Sequence, residues 1–373
     1  MLTAEGCAAR RARLWASPPR PCDVILITTP ESLAYFSGYS PSPFVFNTVE
    51  SAAALILFPD RAVLIADNLV EPFLRASWAD EVVSLAWYAG KKSAPPRRQL
   101  LAQAVSERLN PEAVGVLGID AAGHDLTQGG NQVDLSPLIR TLRRSKDPDE
   151  LAVLRSSVKA GEAGHAAALA AARPGMTELD VFLLVQEAAA RALGEPAWIY
   201  GDFVSGTRCE VERGGRPSRR VIEPGDLFLL DFSVVVSCYR ADFTNTFVVG
   251  AEPSSRQCDL QALCMEAMSA GEALLRLGME ARLVDAAVRG HFARHGLDEF
   301  FPSHTGHGLG LGHPEPPYLV PESTDSLVAG DVIALEPGLY IPGEAGMRIE
   351  HNYVITATGY ERLTHHSLRL TQA

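Results

Sequence analysis

Four carboxylates sit where the sequence leaves little water. PGDLFLLD (224–231) ends an apolar run on Asp231, and DFTNTFVV opens the next on Asp242. AGDVIALE (329–336) ends on Glu336, and MRIEHNYVIT carries Glu350. A buried carboxylate is costly unless it is paired or coordinates a metal. One such acid alone reads as a strand end in water. Four in a repeated pattern repel one another, and a hard divalent ion, or two bridged by carboxylates, relieves the repulsion.

A second cluster is HTGHGLGLGHPEPP (304–317), with His304, His307 and His313. Its glycines imitate a nucleotide-binding G-x-G-x-x-G. That motif needs a following helix, which Pro314, Pro316 and Pro317 forbid. The glycines fit better as places where backbone passes close to a metal centre and a substrate. His307, between Gly306 and Gly308, is the least crowded. One imidazole added to the acids moves the preference toward Mn²⁺, Fe²⁺, Co²⁺ or Zn²⁺. His291 and His295 are four apart, but HFARH lacks the glutamate of H-E-x-x-H and reads as an ordinary helix face.

The elements that must position these groups repeat. Gly175-Met176 opens a helical segment, TELDVFLLVQEAAARAL, and Gly278-Met279 opens another, EARLVDAAVRGHFARHGL. The two Gly-Asp turns and acid-ended strands follow in the same order, each roughly 100 residues apart, which predicts two related halves facing each other. Each half is expected to continue into a hairpin, through CYRA in the first and PGEAG in the second. Upstream, DVILITT, the AALILFPDRAVLIAD hairpin, the helical RRQLLAQAVSERL and VGVLGID predict a mixed α/β region. Asp147-Pro148 with Glu150 begins a long helix. The expected domains are 1–145 and 146–373.

The chain has 373 residues and a formal net charge of −12. Its length favours two domains. Its acidity argues against a nucleic-acid partner, and no apolar run reaches membrane-spanning length. The arginines at 10, 11, 13 and 20 read as a solvated basic arm with no signal core behind them, so a cytoplasmic location is expected. The six cysteines form no C-x-x-C pair and fit reduced thiols.

Asp231, an aspartate eleven residues on, GHGLG, ALEPGLY and RIE together resemble the pita-bread metallopeptidases, in the branch of prolidase, aminopeptidase P and creatinase. TTPESLAYFSGY is similar to that branch's N-terminal domain, LRRSKDPDELAVLR to its domain junction and RPGMTELDV to its following helix start. The resemblance implies an α/β (α+β) protein: a creatinase-like N-terminal domain, then a pita-bread domain of two pseudo-symmetric halves, strands inside and helices outside. It implies Asp231, Asp242, His307, Glu336 and Glu350 as ligands of two divalent ions, manganese first and cobalt or zinc as alternatives. It implies metal-assisted hydrolysis with Glu336 also as general base, Arg348 orienting a carboxylate ligand, and a homodimer. The expected substrate is a dipeptide or short peptide with proline second, cleaved by an Xaa-Pro dipeptidase or aminopeptidase.

The pattern departs on the substrate side. That branch carries a histidine where this chain has Gly214, and another where it has Pro314. His313 stands one residue early and is assigned to the substrate side; His304 stays open. Two other readings remain: a non-peptide amide or small metabolite as substrate, or a binding module with a residual metal site.

Overall fold

Runs such as VILI and ALIL have no polar face, so they belong in strands covered on both sides. The computed structural model describes residues 1–45, 52–109, 114–121 and 131–372, and places these runs in such strands. The chain divides into two units, Met1–Arg143 with Asp147–Glu150, and Arg144–Lys146 with Leu151–Ala373.

The first unit holds a six-stranded sheet of β1 (Val24–Ile27), β2 (Ala54–Leu57), β3 (Ala62–Asp67), β4 (Glu81–Leu85), β5 (Leu117–Ile119) and β6 (Gln132–Asp134), ordered β4-β3-β2-β1-β5-β6. The β2–β3 hairpin closes on the Pro-Asp-Arg turn, where Phe58 N donates to Arg61 O at 2.8 Å. The helix Arg97–Leu109 buries Leu101, Ala104, Val105 and Leu109 with the residues of this sheet, the spacing of one helical face.

The basic arm is a correction. Ala4–Ala16 is a helix capped by Thr3, and Cys7, Arg10 and Leu14 form its buried stripe. Arg10 is fully buried; it donates to Tyr35 O at 2.7 Å and to Asp149 and Asp147 at 2.8 and 3.1 Å. Arg13 meets Asp147 at 2.7 Å and Arg11 donates to Phe36 O at 2.8 Å, whereas Arg20, beyond the helix, is exposed as expected and meets Asn131 at 2.9 Å. Guanidinium donors used this fully make a buried arginine tolerable. The distant aspartates that do so are invisible to local reading.

The second unit carries β7 (Trp198–Ser205), β8 (Leu227–Val236) and β9 (Tyr239–Val248) as one antiparallel sheet. β10 (Gly306–Gly308), β11 (Glu315–Leu319), β12 (Val332–Leu335), β15 (His351–Ile355) and β16 (Tyr360–Arg362) form a second, ordered β11-β10-β12-β15-β16. β13 (Gly338–Ile341) and β14 (Ala345–Arg348) pair as a separate ribbon. Helices Pro148–Ala171 and Glu178–Leu193 precede the first sheet; Ser255–Glu272 and Ala281–Arg294 precede the second. Thr177 and Ser254 open two of them with reciprocal capping boxes. Leu260, Cys264, Val284, Val288 and Phe292 from the later helices share one core with Leu229, Ile333, Leu335 and Tyr353 from the strands. The glycine-rich stretch is strand and turn, with no helix behind it.

The second half departs from the single hairpin expected of it. β12 stops at Leu335, β13–β14 leaves as its own ribbon, and β15 returns to pair with β12. Pro337 has no N–H to continue the ladder. Glu336 and Glu350 therefore sit in breaks between strands.

Candidate metal centre

Strand register places the first two acids. Asp231 stands opposite Thr244, and Ser233 opposite Asp242. Residues two apart share a face of a strand, so both carboxylates leave the sheet on one side. The two-residue turn behind them, Ser237-Cys238, has positive φ at both positions (47° and 69°). That is the turn geometry whose twist suits a tight hairpin.

Glu350 is fully buried. It accepts from Thr244 Oγ1 at 2.8 Å and Asn352 Nδ2 at 3.0 Å. Asn352 Oδ1 accepts from Asp242 N at 3.0 Å, which ties the two sheets together beside the acids. Glu336 Oε1 lies 3.1 Å from His307 Nε2 and 3.0 Å from His304 Nε2.

His307 is central in its sheet, with β11 on one side and β12 on the other. A Cβ on Gly306 would stand 2.1 Å from Ala334 O, and one on Gly308 2.1 Å from Pro316 O. The neighbouring backbones therefore leave room for nothing larger than glycine on either side of this imidazole. His307 Nδ1 faces Gly308 O at 2.9 Å. A carbonyl only accepts, so Nδ1 carries the proton and Nε2 is the nitrogen left to bind an ion.

Arg348 fastens the first half to the second. Its Nη2 donates to Asp231 and, at 2.9 Å, to Asp202; its Nη1 donates to Tyr340 OH at 2.7 Å. Its Nε is buried without a hydrogen-bond partner, 3.9 Å from Glu336 Oε2. His313 Nε2 lies 2.6 Å from Asp242 Oδ2. A cavity of about 320 Å³ opens over these groups, and Tyr200, Asp202, Ser233 and His304 complete its polar wall.

The seven side chains given a ligand or catalytic role in the sequence reading thus lie around one centre. Their ligand atoms fall into overlapping groups able to share an ion: Asp231, Asp242 and Glu350; Asp242, His307 and His313; His304, His307 and Glu336. The sequence reading left His304 open, and it proves to touch Glu336. It missed Asp202, although an acid within the strand IYGDFVS was a visible signal. His291, on the helix Ala281–Arg294, lies 3.3 Å from Glu266 of the helix Ser255–Glu272 and belongs to none of these groups.

The charges show whether a cation fits. Burial raises the Asp231 carboxyl above its usual range; Arg348 opposes the rise and the neighbouring acids add to it. Burial and the nearby Asp242, Glu336 and Asp231 carboxylates hold Glu350 well above that range. His307 would be lowered by burial, but Glu336 outweighs this and holds it up at about 9. The chain thus buries more negative charge here than its own cations neutralise. Oxygen donors with a few imidazoles suit divalent ions such as Mn²⁺, Co²⁺ or Zn²⁺.

Comparison with known proteins agrees. Metallopeptidase family M24 matches residues 152–357, and the creatinase/prolidase N-terminal domain matches residues 19–145. An uncharacterized peptidase of Staphylococcus aureus is 28% identical over 353 residues, 92% of this chain and 95% of that one. An Xaa-Pro dipeptidase from Bacillus anthracis superposes with a TM-score of 0.83 at 26% identity, covering 98% and 99% of the two chains. An X-Pro aminopeptidase from Thermotoga maritima reaches the same TM-score at 21% identity, covering 100% and 99%, a likeness of fold alone. Among the described residues no helix is long and apolar enough to cross a membrane. With the pita-bread fold, the acid–imidazole centre and a family match over more than half its length, this chain belongs to metallopeptidase family M24.

Proposed function

We propose that the protein is a dinuclear metal-dependent peptidase that cleaves Xaa-Pro bonds. The observation that carries this reading is that Asp242, whose carboxylate has two oxygens to offer, belongs to two of the overlapping ligand groups. Shared donors of this kind suit two adjacent ions rather than one.

Asp231, Asp242, His307, Glu336 and Glu350 would hold the ions. Two such ions supply Lewis acidity to polarise a scissile carbonyl and to acidify water. The chain's own groups do the rest. Glu336, facing the cavity, accepts the proton of the attacking water. Arg348 donates to one oxygen of Asp231, which would leave the other to hold an ion. His313, partly exposed at the rim, meets the substrate and supports charge developing on it. Cα register sets Tyr200 beside Ser233, where its ring closes the wall next to His313. In this reading the enzyme works in the cytoplasm as a homodimer, with manganese as the first ion to test.

The test is a panel of Xaa-Pro dipeptides, longer Xaa-Pro peptides and non-proline controls, assayed with added Mn²⁺, Co²⁺ or Zn²⁺. Hydrolysis confined to Xaa-Pro bonds supports the reading, and the accepted length separates dipeptidase from aminopeptidase. Metal bound without peptide turnover moves the substrate to a non-peptide amide or small metabolite. No metal uptake leaves only a binding module.

A further inference from the structure

One wall of the cavity is built by β7, which brings Tyr200 and Asp202 to it. Asp202 stands directly across from Asp231, and Tyr200 across from Ser233. Asp202 therefore looks over the same surface as the candidate ligands, yet it belongs to none of the groups that could share an ion. Its Oδ1 accepts from Gly215 N at 2.7 Å and its Oδ2 from Arg348 Nη2 at 2.9 Å. The side chain is still 33% exposed, and each carboxylate oxygen has a further lone pair to offer.

Gly214 is the other half of this feature. A Cβ there would stand 2.3 Å from Asp202 Oδ2. A side chain at 214 and the carboxylate at 202 cannot both occupy this space. The space beside Gly214 is thus taken by an acid reaching in from β7.

The charge balance decides what such an acid serves. Arg348 is shared between Asp202 and Asp231, one positive charge against two negative ones. Among the described residues lining the cavity there is no lysine and no second arginine. With Asp231 given to the ions, Asp202 is the one carboxylate among the described residues lining the cavity that belongs to no ligand group. The geometry points to Asp202 as the group that receives the positively charged amino terminus of the substrate. This assignment rests on the peptidase reading, and it selects peptides with a free amino end.

The experiment compares Ala-Pro-Ala with propionyl-Pro-Ala, the same molecule without its ammonium, as substrates or as competitive inhibitors. Wild type should favour the free amine. A hydrogen bond to a charged partner corresponds to about 10–100-fold in binding, so Asp202→Asn should raise KM for Ala-Pro-Ala by about that factor. Propionyl-Pro-Ala should bind as before. Gly214→Ala, which pushes the carboxylate aside without changing any charge, should reproduce the loss, with circular dichroism confirming the fold. Equal losses in kcat on both compounds, with the preference intact, would mean that Asp202 only positions Arg348, and the assignment would be wrong. Wild type that discriminates between the compounds no better than Asp202→Asn also overturns it while leaving the peptidase reading standing. Wild type that cleaves no Xaa-Pro peptide removes both.

Discussion

In the first half of the second unit, both aspartates ride on one unbroken hairpin, ten residues in each strand. In the second half, the corresponding hairpin is cut twice, and each glutamate sits in a cut. The neighbouring strands differ as well. β7 lends an acid, Asp202, to the first sheet, whereas β10 lends an imidazole, His307, to the second. The comparison teaches that duplication supplied the scaffold and local breaks supplied the asymmetry. A regular hairpin presents side chains at fixed two-residue intervals. Glutamates leaving from breaks reach across to the aspartates, as the Glu350–Thr244 and Asp242–Asn352 bonds show. One side of the centre is all carboxylate and the other contains imidazole, so the two ion positions of the proposed reading would differ in donor chemistry.

The sharpest way to break this comparison is at the residue common to both sides. Asp242→Asn keeps its shape but loses the charge that the carboxylate group shares with the imidazole group. Metal content by mass spectrometry should fall toward zero while circular dichroism stays unchanged. Retention of both ions would show that the two sides do not share this ligand.

A smaller effect is expected at His313, which contacts Asp242 from the rim. His313→Ala should keep the metal and lose about 10²–10³-fold in kcat, the usual cost of removing a group that stabilises developing charge. A kinetically silent variant would return His313 to an ordinary turn residue.

The smallest effect is expected at the buried histidines where the two halves meet. His165, His351 and His366 meet edge to face between the helix Pro148–Ala171, β9 and β15, with ring centroids 4.7 and 4.8 Å apart. Burial lowers His366 to about 4, with Arg362 and His365 adding to the fall against the Thr244 carbonyl; burial and His366 hold His165 well below its ordinary value. These imidazoles are neutral when folded, and the unfolded chain takes up protons below about 6.5. Their stabilisation is therefore complete above about pH 6.5 and is lost as pH falls toward 4. His366 alone should contribute roughly 2 kcal/mol of lost stability between about pH 7 and about pH 5. Denaturant midpoints should fall over that window, and His366→Phe should flatten the slope. An unchanged slope in the variant would remove His366 as a cause.

Much of this was legible because polar residues stood where apolar pattern predicted burial. Acids ending FLLD and IALE, and a histidine between two glycines, can be found without a structure. The β2–β3 hairpin and the helix after Asp147 were marked by turn and capping residues. What stayed hidden depends on distant partners. Arg10 is buried because Asp147 and Asp149 come to it from far along the chain. Asp202 matters because Gly214 leaves it space, a relation between strand and loop that spacing does not encode. The cuts around Glu336 and Glu350 come from the departure of β13–β14, although Pro337 marked one of them.

Anomalous diffraction from crystals grown with manganese tests the central claim most directly. The account predicts two peaks, one among Asp231, Asp242 and Glu350 and one beside His307 and Glu336, bridged by shared carboxylates. A map with no peak among these five side chains, or with manganese only at surface acids, would contradict it.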